Sequence, residues 1–186
     1  MKQLIKFVFL SLLLIAPTIS AKTISDVNVS ETINISNQKL ILNGAGVRSK
    51  FFFDLYVGSL YLPKSTTDAN TAIDSDVAAI RLNITSGMIT PEKMQEAVAE
   101  GFEHATHKNI APIQTQIDEF IDLFGSGIKE GDQFTFVSHK NVGITAYKNG
   151  KQLANIKGEG FRKALFQIWL GDKPAQKSLK KKMLGK

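Results

Sequence analysis

One stretch narrows the folds open to this chain more than any other: Gly44-Ala45-Gly46-Val47-Arg48-Ser49-Lys50-Phe51-Phe52-Phe53-Asp54-Leu55-Tyr56-Val57-Gly58-Ser59-Leu60-Tyr61-Leu62. Residues 51–62 are dominated by Phe, Tyr, Val and Leu, which is strand composition. Gly44 and Gly46, just ahead of Arg48, mark a bend or a close approach of backbone. Side chains alternate along an extended strand. Phe52, Asp54, Tyr56 and Gly58 therefore share one face, and Phe51, Phe53, Leu55 and Val57 the other. Tyr56 falls on the more polar face, the one suited to line a cleft. If Arg48 ends one strand and Phe51 begins the next, the Arg48 and Tyr56 side chains meet across a hairpin. A guanidinium and a phenol that converge in an apolar cleft form a receptor for a carboxylate or an enolate. The plainer alternative is an arginine at a hairpin turn, paired with Asp54, and a half-buried strand tyrosine with a satisfied hydroxyl.

The remaining pattern surrounds this pair with sheet and helix. Residues 27–35 and 39–43 read as strands separated by a turn at Asn37-Gln38, and 77–84 as a buried strand after a polar loop over 64–76. Thr90-Pro91-Glu92 combines a capping hydroxyl, a first-turn proline and an acid at the positive dipole end, so a helix starts there. Met94, Ala97, Val98, Gly101 and Phe102 follow at helical spacing. A second helix covers 113–124 and stops at Gly125-Ser126-Gly127. Strands at 133–138, 142–148 and 151–157 form a meander, its last turn marked by Asn149-Gly150. Helices at 161–170 and 176–184 complete the chain. Strands, helices, strands, helices in that order predict an α+β fold on an antiparallel sheet.

Bulk features exclude several functions. Residues 1–21 read as a secretory signal: Lys2 and Lys6, an apolar run from 7 to 16, then Pro17 and a small residue at Ala21. That leaves one domain over 22–186 and a periplasmic destination as the expectation. The chain has no cysteine, so no disulfide supports it. The formal charge of +6 concentrates in the tail, at Lys177, Lys180, Lys181, Lys182 and Lys186. This tail reads as a helix with a solvated basic face. Its sharper reading is contact with anionic lipid headgroups. Nucleic-acid recognition lacks a motif. His104 and His107 stand three apart on a helix beside Glu100 and Glu103, but no third ligand is apparent, so neither a metal nor any other cofactor is expected. There is no nucleophile elbow, and Gly44-Ala45-Gly46 lacks the third glycine of a dinucleotide loop.

Three segments, Gly46 to Phe53, Tyr56 to Leu62, and Ile168-Trp169-Leu170-Gly171-Asp172-Lys173-Pro174, resemble the chalcone isomerase family, and more closely its bacterial chalcone isomerase-like branch. The resemblance extends in order over nearly all of residues 22–186 and implies an open-faced β-sandwich, a large antiparallel sheet with layered helices. It also implies roles. Arg48 matches the arginine that contacts a developing oxyanion in the plant isomerases, and Tyr56 the hydroxyl residue that orders water there. Met94 and Gly101 stand where those isomerases carry a tyrosine and an asparagine. Ile168, followed by Trp169, replaces a hydroxyl residue. Non-catalytic relatives of this fold bind fatty acids. The expectation is a binding protein for an amphipathic carboxylate, with Arg48 and Tyr56 on the head group and Phe52, Met94, Phe102, Ile168 and Trp169 as walls. The alternative is an intramolecular lyase in which Arg48 stabilises an oxyanion.

Overall fold

A computed structural model describes residues 21–35 and 37–186, so nearly all of the segment read as a signal lies outside it. Seven antiparallel strands pair in chain order, each with its sequence neighbour. They are β3 (Thr32–Ile35), β4 (Gln38–Lys50), β5 (Phe53–Leu62), β6 (Val77–Ile84), β7 (Gln133–His139), β8 (Gly143–Lys148) and β9 (Lys151–Lys157). A separate hairpin, β1 (Ala21–Ile24) with β2 (Val27–Ser30), precedes them. The expected strand over 27–35 is therefore two strands, broken at Glu31. β4 continues as a strand through its glycines, with irregular register at Leu42/Gly44 and Arg48/Ser49, and of the two readings of Gly44 and Gly46 the close approach is the one seen. The polar loop over 64–76 contains a short helix, α1 (Ala69–Ile73), capped by the Asp68 carboxylate accepting from the Thr71 backbone N–H.

Alternation along the strands separates two apolar layers. Tyr56, Leu60 and Leu62 of β5, Ala78, Ile80 and Leu82 of β6, and Phe134 and Phe136 of β7 face the helices. Val57 and Tyr61, Val77 and Ala79, and Val137 face the other way, where Val29 and Ile33 join them. The phenol of Tyr61 donates to the Ser30 carbonyl at 3.0 Å, tying β2 to that second face. Tyr56 thus lies on the helix-covered side of the sheet. The expected sharing of that face with Asp54 does not hold: the irregular step at Arg48/Ser49 leaves Leu55 as an extra residue and turns Asp54 to the opposite side, where its carboxylate accepts hydroxyl bonds from Ser25 and Ser49.

The helix layer consists of α2 (Pro91–Ala105), α3 (Gln114–Asp122), α4 (Glu159–Leu170) and α5 (Lys177–Met183). Thr90 caps α2 as its sequence requires, its hydroxyl accepting from the Lys93 backbone N–H. Aromatic rings fill the space between helices and sheet. Phe102 stacks on Phe161 at 5.5 Å between centroids, and Phe120 meets Phe136 edge-on at 5.0 Å. A fully buried arginine, Arg162, is anchored in this layer. It makes a two-pronged ion pair with Glu159 and donates to the Ile73 carbonyl and the Ser138 hydroxyl. α5 lies directly on the backbone of β4. A Cβ at Gly44 would overlap the Lys182 carbonyl oxygen, and one at Gly46 would come within 2.7 Å of the Lys182 Cβ.

Two outcomes follow from these contacts. Gly44→Ala forces α5 off the sheet and destabilises the protein by about 1–3 kcal/mol, read as a lower denaturant midpoint with faster amide exchange in α5. The hydrogen bonds from Arg162 hold the Glu159 carboxyl down from 4.5 to about 2. The carboxylate's contribution to stability is therefore complete above pH 4.5 and is lost as pH falls toward 2. Glu159→Gln removes that contribution and flattens the acid limb of a denaturation-midpoint profile between those values.

Candidate functional site

The site begins as a hairpin. β4 and β5 pair so that Arg48 stands opposite Tyr56, with the irregular step at Arg48/Ser49 immediately beyond. The expected meeting of the two residues is thus a matter of strand register. Arg48 is half-buried, and Asp54, its alternative partner, is engaged by Ser25 and Ser49 instead. The guanidinium is oriented from one edge only. Its Nη1 donates to the Ser49 carbonyl at 2.8 Å and to the Gln176 side-chain oxygen at 3.0 Å. That same oxygen accepts from the Ser49 backbone N–H at 3.0 Å. Among the described residues no carboxylate forms a salt bridge with Arg48, and the remaining polar neighbour of its guanidinium is the Tyr56 phenol.

Tyr56 is held from the opposite side. Trp169 Nε1–H donates to the phenol oxygen at 3.0 Å in a buried bond. The phenol's own proton has no acceptor among the described residues. Burial raises the phenol above its ordinary 10.0, and the Trp169 bond and then the charge and hydrogen bonding of Arg48 pull it back only in part. Tyr56 is therefore a neutral donor at physiological pH. Trp169 reaches it because α4 places the indole against the sheet, stacked over Phe136 at 6.1 Å between centroids.

These two groups sit in the wall of a cavity of about 560 Å³ between α2, the β4–β5 hairpin and the end of α4. That volume is in the usual range for small-molecule sites, roughly 300–1,000 Å³. Met94, Ile168 and Trp169 line it as the sequence suggested. Phe52 and Phe102 do not. Phe52 lies in the turn beyond the paired strands, 98% exposed, because the irregularity at Arg48/Ser49 moves the hairpin end out of the simple alternation. Phe102 follows Gly101 by about 100° around the helix. Gly101 faces the cavity, and Phe102 turns into the aromatic core against Phe120 and Phe161.

Sequence reasoning missed other wall residues. Ile89 and Met94 occupy the two positions of a hydrophobic staple around the Thr90 cap, a local signal that was available. Leu55, Leu82 and Val98 line the apolar depth, and Pro174 and Ala175 a further side. Gln176 had no local signal, since its partners lie 127 and 128 positions earlier in the chain. His104 stands exposed at the cavity rim and His107 beyond the end of α2. Among the described residues no group of three or more acidic, histidine or cysteine side chains is placed to hold a metal.

Comparison with known proteins bears on the fold. A family model described as chalcone isomerase-like matches residues 21–185. Among solved structures, a fatty-acid binding protein of Arabidopsis thaliana superposes with a TM-score of 0.67 at 14% identity, covering 86% of this chain and 92% of that one. Among curated protein sequences none matches significantly.

The Tyr56 bond is directly testable. Trp169→Phe leaves the phenol without its donor, so its ionisation moves further upward and the protein loses about 1–2 kcal/mol. Alkaline difference spectra, with Tyr56→Phe as the subtraction control, read the first effect, and denaturant midpoints the second.

Proposed function

This chain belongs to the chalcone isomerase-like family, and on that premise we propose that it binds a fatty acid or a similar amphipathic carboxylate in the cavity beside Arg48. The observation that carries the reading is an arginine that lines an apolar cavity beside a neutral phenol, with no carboxylate partner among the described residues. An unpaired guanidinium is costly to desolvate unless an anion completes it. A carboxylate does so with two oxygens, one for Arg48 and one for the Tyr56 proton. The geometry suits a head group bound to a neutral phenol and a cation together.

The apolar depth then takes the tail. Leu55, Leu82, Val98 and Ile168 offer no hydrogen bond to it, and each buried CH₂ contributes about 0.8 kcal/mol. Met94, Gly101 and Ile168 also bring no hydroxyl or amide to the positions at which the plant isomerases, by the sequence resemblance, carry polar groups. This supports binding over isomerisation. The solved fatty-acid binding protein of similar fold accords with the same ligand class. We place the protein in the periplasm, on the signal-like character of residues 1–21.

Mass spectrometry of small molecules that co-purify with the periplasmic protein tests the proposal. The wild type should carry a fatty acid in near-stoichiometric amount. Arg48→Ala should bind an added long-chain fatty acid about 10–100-fold more weakly, for a charge-assisted bond of about 1.5–3 kcal/mol, with little change in thermal midpoint. Equal affinity in the two proteins removes the clamp.

A further inference from the structure

The turn of the β4–β5 hairpin carries three consecutive phenylalanines in water. Phe51 is 86% exposed, Phe52 98% and Phe53 53%, and Met88 is 44% exposed. Phe51 and Phe53, with Met88, form the mouth of the cavity. Lys50 pairs with Phe53 across a two-residue turn, in which Phe51 adopts a left-handed φ of 57°. Glycine and asparagine suit that backbone, and a bulky aromatic residue does not. The residue types at this turn are thus chosen against the turn's own preference, a kind of local strain that clusters at functional places.

We propose that this hairpin tip is a wedge that inserts into the headgroup region of an anionic lipid bilayer, with the cavity mouth set against the membrane. Charge supports a bilayer as the occupant. α5 starts beside the turn end of the hairpin, where Gln176 accepts from the Ser49 backbone. From residue 173 to 186 the chain has six lysines and no acid. Lys50 and Lys93 are exposed at the mouth itself. Glu96 and Glu100 lie about one and two turns further along α2 than Lys93. Size argues against a second copy of the chain. The exposed rings present on the order of 400–500 Å², whereas a stable protein interface buries about 800 Å² on each partner. An exposed aromatic tip with Lys50 and Lys93 beside it, and with its one adjoining acid, Asp54, held by two serine hydroxyls, is a surface that binds an interface through apolar area plus attraction to anionic lipid.

The wedge stands on the hairpin and the charge distribution, and it does not depend on what the cavity holds. Its test is Phe52→Trp in the full chain, mixed with phosphatidylglycerol vesicles and, in parallel, phosphatidylcholine vesicles. Phe52 touches little, so the substitution leaves the fold intact. The difference in emission between this variant and the wild type isolates the introduced indole from Trp169. That emission should shift to the blue on phosphatidylglycerol and be quenched by brominated acyl chains. Phe51→Asn with Phe52→Ser should weaken co-sedimentation with those vesicles at least tenfold at an unchanged thermal midpoint. Replacing Lys177 and Lys181 by glutamine should weaken it by about fivefold per lysine. Emission from the introduced indole that vesicles leave unchanged overturns the wedge, as does a double variant that sediments like the wild type. A blue shift that follows protein concentration without lipid overturns it in favour of self-association. Vesicle binding by a protein that takes up no carboxylate sinks the clamp and leaves the wedge standing.

Discussion

A helix approaches a strand pair most closely where the strands carry no side chains. Gly44, Gly46 and Gly58 clear such a patch, and α5 settles into it with Lys182 over Gly44 and Gly46 and Leu179 over Gly58. The Asn43 side chain fastens the far end by donating to the Met183 carbonyl at 2.8 Å. Leu179, Met183 and Leu184 are buried by this docking. The consequence reaches the site, because α5 begins at Gln176, and Gln176 orients both Arg48 and the backbone of Ser49. The segment just before it supplies Pro174 and Ala175 to the cavity wall. A terminal helix whose lysines suggested only a surface role is therefore also part of the architecture that aims the arginine.

The second dependency is one of hydrogen-bond capacity. A phenol oxygen can accept while its proton is donated elsewhere. Trp169 uses the accepting side of Tyr56, and Gln176 and Ser49 take only one nitrogen of Arg48. Each supporting residue thus fixes a polar group that lines the cavity without supplying it a carboxylate. Had Asp54 paired with Arg48, the guanidinium would have been neutralised and the cavity left without an anion receptor. The hydroxyls of Ser25 and Ser49 keep Asp54 engaged instead, and Ser25 comes from the β1–β2 hairpin that folds across the opposite side of the sheet. Arg162 shows the contrasting solution, a buried arginine fully matched by a carboxylate and two neutral acceptors, and so structural.

Much of this was legible because it is local. The alternation in 77–84, the Asn149-Gly150 turn, the Thr90-Pro91 helix start and the helical stripes after it each depend on residues a few positions apart, and each element formed where those signals lie. The meeting of Arg48 and Tyr56 was also legible, since a hairpin makes neighbours of residues eight apart. Parity counting failed at Phe52, because one irregular step in the pairing changes the face of everything beyond it. Phe102 departs for a different reason: one residue beyond Gly101 on α2, it turns about 100° away from the cavity and into the aromatic core.

The sequence by itself determined the strand and helix order and the antiparallel sheet, which follow from backbone periodicity and short-range turn chemistry, and it brought the arginine and the tyrosine to one hairpin, where an irregular step in the register sets them opposite each other. Only the tertiary structure decided what those two groups are free to do. Trp169 meets Tyr56 across 113 positions and Gln176 meets Arg48 across 128. No local propensity encodes such contacts. They arise because packing of α4 and α5 on the sheet brings particular donors and acceptors together; the glycines at 44 and 46 announce a close approach, but which helix makes it is set by volume and packing across the whole chain.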